Sequence, residues 1–160
     1  MSYSVKEIYF TLQGEGFHTG KHAVFCRFSG CNLWSGLEKN REKAICNFCD
    51  TDFVGTDGIN GDKYQNAESL AKKIDEIWDK NLNDKLVVFT GGEPLLQLNE
   101  ELIGLLHEKK FKVAIETNGT ILPPENIDWI CVSPKKGADL NLNYGNEIKF
   151  CLLYTSDAAD

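Results

Sequence analysis

Residues 85–90, Lys-Leu-Val-Val-Phe-Thr, are apolar at successive positions rather than at alternate ones. A strand with one wet face alternates, whereas a strand apolar on both faces belongs inside a parallel sheet covered by helices. The flanking sequence agrees. Gly91-Gly92-Glu93-Pro94 ends the strand, and Leu102, Leu105 and Leu106 recur at helical spacing within residues 99–109. Residues 112–116 give another strand, and after Pro123 and Pro124 break the chain residues 129–132 give one more. Upstream, Leu70, Ile74, Ile77 and Trp78 predict a helix from the N-cap Asn66 to about Lys80. Strands are also expected at residues 3–10, 23–28 and 147–150. The succession of strand and helix marks repeated βα units in one α/β domain, which carry their chemistry at the carboxyl ends of the strands. Residues 90–93, 116–118 and 133–135 therefore share a face.

The cysteines suggest what that face holds. Cys31, Cys46 and Cys49 form the pattern Cys-x14-Cys-x2-Cys, with Phe48 directly before the last. A structural zinc takes four protein ligands and a fully ligated iron–sulfur cluster four cysteines. Three thiolates suggest a metal centre with one position open to a small molecule. Cys26 and Cys131 sit inside apolar strand-like runs and are expected to be inert core residues. Six cysteines would allow three disulfides in a secreted mini-protein, but a chain of 160 residues with periodic elements has no need of such staples.

Arg27 is the exception within its apolar strand, and a guanidinium there needs an acceptor. An internal carboxylate or a carboxylate-bearing ligand would serve. Residues 11–16, Thr-Leu-Gln-Gly-Glu-Gly, are either a plain turn or a loop displaying Gln13 and Glu15. The insert 32–45 is a short helix or a wrapped loop, and residues 52–65, rich in glycine and aspartate, are expected to be an exposed loop. His18 and His22 read as solvated loop residues and His107 as a surface residue at a helix end.

The net charge of −7 and the lack of a basic block leave no cationic footprint for nucleic acid. No apolar run is long enough to span a bilayer, and the first residues lack the apolar core of a secretory signal, so a cytoplasmic protein is expected. After Phe150 the residues Cys-Leu-Leu-Tyr-Thr-Ser-Asp-Ala-Ala-Asp continue no element. They read as a non-native tail, 151–160, on a core domain, 1–150, that is expected to be incomplete at its carboxyl end.

Taken together these residues resemble the 7-carboxy-7-deazaguanine synthase family of the radical S-adenosylmethionine (SAM) superfamily. The resemblance rests on Glu7-Ile8-Tyr9-Phe10, Gln13-Gly14-Glu15-Gly16, Phe25-x-Arg27, Gly30-Cys31-Asn32-Leu33 and Cys49-Asp50-Thr51. It continues in Thr90-Gly91-Gly92-Glu93-Pro94, Glu116-Thr117-Asn118-Gly119 and Ser133-Pro134-Lys135. The superfamily's usual spacing is Cys-x3-Cys-x2-Cys; the longer first gap resembles one branch of the synthase family.

The resemblance implies a partial (β/α) barrel of the radical SAM type with a modified cluster loop. It implies a [4Fe-4S] cluster on Cys31, Cys46 and Cys49, with S-adenosylmethionine on the open iron and cleaved by one electron to a 5′-deoxyadenosyl radical. Phe48, Cys49, Asp50, Gly91, Gly92, Glu93, Ser133, Pro134 and Lys135 would meet that cofactor, Glu93 accepting from its ammonium group. The implied substrate is 6-carboxy-5,6,7,8-tetrahydropterin, contracted to 7-carboxy-7-deazaguanine with loss of ammonia. Arg27 would clamp its carboxylate, with Leu12, Gln13, Gly14, Glu15, Thr90, Glu116 and Asn118 as further contacts. Thr51 would bind Mg2+. A flavodoxin-type or other reductant and a homodimer are implied as well. The alternatives are a glycyl-radical activating enzyme, which acts on a protein, and a non-catalytic zinc-binding module built on Cys46 and Cys49.

Overall fold

The computed structural model describes residues 1–150; the expected foreign tail, with Cys151, lies outside the described residues. Strand β1 (Tyr3–Leu12) turns back into β2 (His22–Phe28), and β3 (Asp62–Tyr64) precedes helix α1 (Ala67–Ile77). Then come β4 (Leu86–Gly91), α2 (Glu100–Glu108), β5 (Lys112–Thr117), β6 (Trp129–Val132) and β7 (Glu147–Ile148). They form one sheet in the order β3-β1-β2-β4-β5-β6-β7. From β2 to β7 the pairings are parallel, while β1 runs antiparallel to both β2 and β3. This is an α/β partial barrel.

The apolar run of β4 is explained by its place. Leu86, Val87, Val88, Phe89 and Thr90 are all buried. Val87 and Phe89 face the main core, where Val24, Phe28, Val113 and Ile115 meet Leu70 and Ile74 of α1 and Leu102, Ile103 and Leu106 of α2. Val88 faces the other way and packs with Ala23 and Ala114 in a second, thinner cluster. Those small side chains keep the concave face hollow. Cys26 and Cys131 are buried as expected, and burial pushes the Cys131 thiol up to about 12.

The helices start at their caps. The Asn66 side chain accepts from the Ser69 N–H at 2.8 Å while Ser69 Oγ reaches back to the Asn66 N–H, a reciprocal capping box. Asn99 caps α2 through the Leu102 N–H at 3.1 Å. Helix α1 stops at Ile77, short of the expected Lys80. Trp78 takes an extended backbone with ψ 134°, and its indole, 2% exposed, donates to the Leu82 carbonyl.

One expectation for a loop is corrected. Residues 62–64 are a strand, because the free edge of Tyr3–Val5 offers a ladder that a three-residue polar stretch gives no sign of on its own. The insert contains a 3₁₀ helix, Glu38–Lys43, within an otherwise wrapped loop. Replacing Leu70, wholly buried at the centre of the α1 face, tests the packing: Leu70→Ala should cost about 3 kcal/mol in urea unfolding, the usual range for a buried leucine.

Candidate active site

Cys31 lies three residues beyond the end of β2, beside the end of β4, and two glycines permit that approach. A Cβ on Gly91, whose φ is +148°, would stand 2.3 Å from the Phe28 carbonyl oxygen. One on Gly92 would stand 2.2 Å from the Gly30 oxygen and 2.6 Å from the Cys31 Cβ. The Glu93 N–H donates to the same Gly30 carbonyl at 3.0 Å. These glycines thus seat the first cysteine against the sheet.

The Cys46 N–H donates to the Leu33 carbonyl at 3.4 Å, and the Leu33 N–H donates to Cys31 Sγ at the same distance. Burial pushes the Cys31 thiol up. Cys46 and Cys49 share a hydrogen bond that raises the first thiol and lowers the second to about 6, with the N–H and hydroxyl of Thr51 also favouring the Cys49 thiolate. All three cysteines line one cavity of about 330 Å³, walled also by Phe48, Asp50, Thr51, Gly91, Gly92, Ser133, Pro134 and Lys135. Lys135 Nζ is held by the carbonyl of Ser133 at 2.9 Å and its hydroxyl at 2.5 Å.

A second cavity of about 420 Å³ is lined by Leu12, Gln13, Gly14 and Arg27, with Tyr9, Thr11 and Phe25. Glu15, Thr51, Thr90, Gly91, Glu116 and Lys149 line both. Asn118 faces the cysteine cavity rather than the second one. Arg27 has found its internal carboxylate: Nε donates to Glu7 Oε1 at 2.8 Å, across the β1–β2 ladder. It is also a cavity residue, so the two readings of its acceptor are compatible.

Glu93 lies behind the two cavities. Its side chain is fully buried and lines neither cavity. Oε1 accepts from the Thr117 hydroxyl at 2.7 Å and the Leu95 N–H at 3.0 Å, and Oε2 accepts from the Asn118 N–H at 2.8 Å. Burial raises its carboxyl while these donors pull it back. A carboxylate held in this way braces the turns after β4 and β5 from behind.

Sequence reasoning missed Lys149 and Glu147. Lys149 Nζ lies 2.5 Å from Glu15 Oε2 and 3.3 Å from Glu116 Oε2, while Gln13 Nε2 donates to Glu116 Oε1 at 3.1 Å. Glu147 Oε2 accepts from Trp129 Nε1 at 3.1 Å and from the Phe17 N–H at 3.3 Å, with the Phe17 ring stacked on Trp129 at 4.6 Å. Residues 13–17 are thus drawn over the concave face. His18, expected in solvent, packs 4.8 Å from Trp129 with burial lowering its ring, because the loop carries it inward. His107 pairs with Asp128 at 2.9 Å near the surface, and His22 stacks on Phe10 at the start of β2. Acidic and basic charges alternating at positions 147 and 149 in a strand were the signal available.

Residues 40–154 match the pattern of the radical SAM superfamily. The 7-carboxy-7-deazaguanine synthase of Caulobacter vibrioides is 60% identical over 93% of this chain and 71% of its own length. That of Bradyrhizobium diazoefficiens is 57% identical over the same shares. The chain belongs to the 7-carboxy-7-deazaguanine synthase family. A crystal structure of QueE from Escherichia coli is similar with a TM-score of 0.70 and 29% identity, covering 94% of this chain and 70% of that one.

The residues present fit what the radical SAM superfamily implies, a [4Fe-4S] cluster and S-adenosylmethionine. Three cysteines open onto one cavity, and among the described residues no fourth thiol lines it. Among the described residues no three His, Cys, Asp or Glu side chains are placed to share a single metal ion. The glycine contacts yield a test. Gly92→Ala must displace Cys31, so the reconstituted variant should hold less than half the iron and sulfide of the parent, as measured by chemical analysis, while its far-UV circular dichroism is unchanged.

Proposed function

We propose that the chain catalyses the ring contraction of 6-carboxy-5,6,7,8-tetrahydropterin to 7-carboxy-7-deazaguanine, with loss of ammonia, in 7-deazapurine (queuosine) biosynthesis. The observation that carries this reading is a shared wall: the thiol-lined cavity and the arginine-lined cavity meet at Thr51, Thr90 and Glu116. When bound, the cluster and S-adenosylmethionine supply one-electron cleavage and the radical that abstracts hydrogen. The chain's own residues do the rest.

Cys31, Cys46 and Cys49 would hold the cluster. Ser133, Pro134, Lys135, Gly91 and Gly92, which line the same cavity, would bind and orient the cofactor. Arg27, oriented through Nε by Glu7, presents the remainder of its planar fork to the substrate carboxylate, which suits bidentate binding. Leu12, Gln13 and Gly14 face the pterin edge, where amide and amino groups demand both donors and acceptors. Glu15 and Glu116, tied by Lys149, fix that loop against the floor. Thr51 is a hydroxyl within reach of both cavities and suits Mg2+, a hard ion that keeps water and substrate oxygens in its shell. A one-electron donor of flavodoxin type, a homodimeric assembly and a cytoplasmic setting complete the reading. Among the described residues no helix is long and apolar enough to cross a membrane.

The test is anaerobic cluster reconstitution followed by reduction with S-adenosylmethionine, with and without carboxytetrahydropterin, and mass spectrometry of the products. Substrate-dependent 7-carboxy-7-deazaguanine is expected. Deoxyadenosine without that product would refute the substrate and leave the radical chemistry standing. Arg27→Lys loses a hydrogen bond to a charged group, worth about 1.5–3 kcal/mol, so kcat/KM for the pterin should fall by about tenfold or more.

A further inference from the structure

The fourteen residues that separate Cys31 from Cys46 include a 3₁₀ helix, Glu38–Lys43, none of whose residues is buried. It adds nothing to the core, yet one of its side chains is fixed on every side. Arg41 is the only residue of the six that is not fully exposed. Its guanidinium lies over the Trp34 ring at 4.1 Å from the centroid, and Trp34 is itself buried edge-on against Phe53. Nε donates to both carboxylate oxygens of Glu38, at 2.8 and 2.9 Å. Nη1 donates to the carbonyls of Asn47 at 3.0 Å and Cys49 at 2.9 Å. Those two carbonyls bracket the turn that carries the second and third thiols.

We infer that the insert serves to deliver Arg41, a positioning residue that clasps the Cys46–Cys49 turn at its backbone and sets a fixed positive charge beside the iron–sulfur cluster. Only a planar, multi-donor cation can stack on an indole, pair with a carboxylate and reach two carbonyls at once, so lysine cannot replace it. The two carbonyl oxygens are the negative ends of backbone dipoles near a set of thiolates, and the guanidinium offsets both. Charge around a cluster sets its potential along with the hydrogen bonds and exposure of its sulfurs. A cation this close favours the reduced, more negative state. The inference rests on the cluster reading given above.

The test uses the full chain with Arg41→Gln and Arg41→Lys. In the metal-free proteins, iodoacetamide alkylation of each cysteine is followed by mass spectrometry. In the reconstituted proteins, iron release to a chelator and the midpoint potential by spectroscopic titration are measured. For Arg41→Gln, Cys46 and Cys49 should react faster, at an alkaline pH where thiolate formation no longer limits the rate, while Cys31 does not. Iron should leave about tenfold faster, as expected from losing hydrogen bonds to a charged donor, and the potential should become more negative. Arg41→Lys should keep most of the potential but release iron faster. Arg41→Gln with parental alkylation and iron release, or with an unchanged potential, overturns the inference. Should Arg41→Gln fail to fold, Glu38→Gln, which leaves the arginine without its carboxylate, should loosen the clasp, so that Cys46 and Cys49 are alkylated faster and iron is released faster, each by less than in Arg41→Gln, while the loss of a negative charge moves the potential up. Parental alkylation and iron release in that variant would overturn the inference equally. A parent chain that takes up no iron would sink the cluster reading, while the alkylation rates of the metal-free proteins would still decide the clasp.

Discussion

The buried carboxylate of Glu93 joins the carboxyl ends of the two central strands, and the loops that form the site are hung from that join. A charge removed from water must be met by donors, and here three groups from two separate loops converge on it. Holding Leu95 fixes the turn after β4, and holding Thr117 and Asn118 fixes the turn after β5. The consequence spreads outward. The Asn118 side chain donates to Asn32 Oδ1 at 3.0 Å, and Asn32 in turn donates to the Thr120 hydroxyl at 2.7 Å. A line of hydrogen bonds thus runs from a residue that faces no cavity to the neighbour of the first cysteine.

The pleat of the sheet then separates structure from chemistry. In β2, β4 and β5 alternate residues face the helices and are large and apolar, while those between face the hollow. Along that hollow face the residues are apolar toward the amino ends, at Ala23, Phe25, Leu86, Val88 and Ala114, and polar near the carboxyl ends, at Arg27, Thr90 and Glu116. Arg27 and Thr90 are direct partners across the β2–β4 ladder. A cavity with a charged rim over an apolar floor follows from strand register alone, before any ligand is considered.

Most of this architecture was legible in the sequence because it rests on short-range pattern: the doubly apolar β4, the asparagine caps of both helices, and the strand ends marked by polar residues. What escaped were the features decided by distant partners. Which groups hold the Glu93 carboxylate is decided about two dozen positions later, at Thr117 and Asn118. The acceptor of Arg27 lies 20 residues upstream and is set by a hairpin register that a pattern of apolar residues does not specify. Strand β3 is three residues long and exists only because β1 has a free edge. A six-residue 3₁₀ helix carrying five charges is too short to show any period, so the insert could be read two ways. The cysteine triplet, by contrast, announced itself through residue type and spacing, which needs no knowledge of the fold.

The docking of residues 13–17 onto the concave face bears on how the molecule is made. Phe17 meets a carboxylate 130 positions further along the chain, and Gln13 meets one 103 positions away. Contacts so remote in sequence form late, since the intervening chain must first be ordered. During synthesis the amino-terminal loop leaves the ribosome first and waits longest, until β5 supplies Glu116, β7 supplies Glu147 and Lys149 follows directly after β7. The cysteines and the first four strands are complete well before that. The order of synthesis therefore places the three cysteines on the emerged chain before the residues that hold residues 13–17 over the concave face.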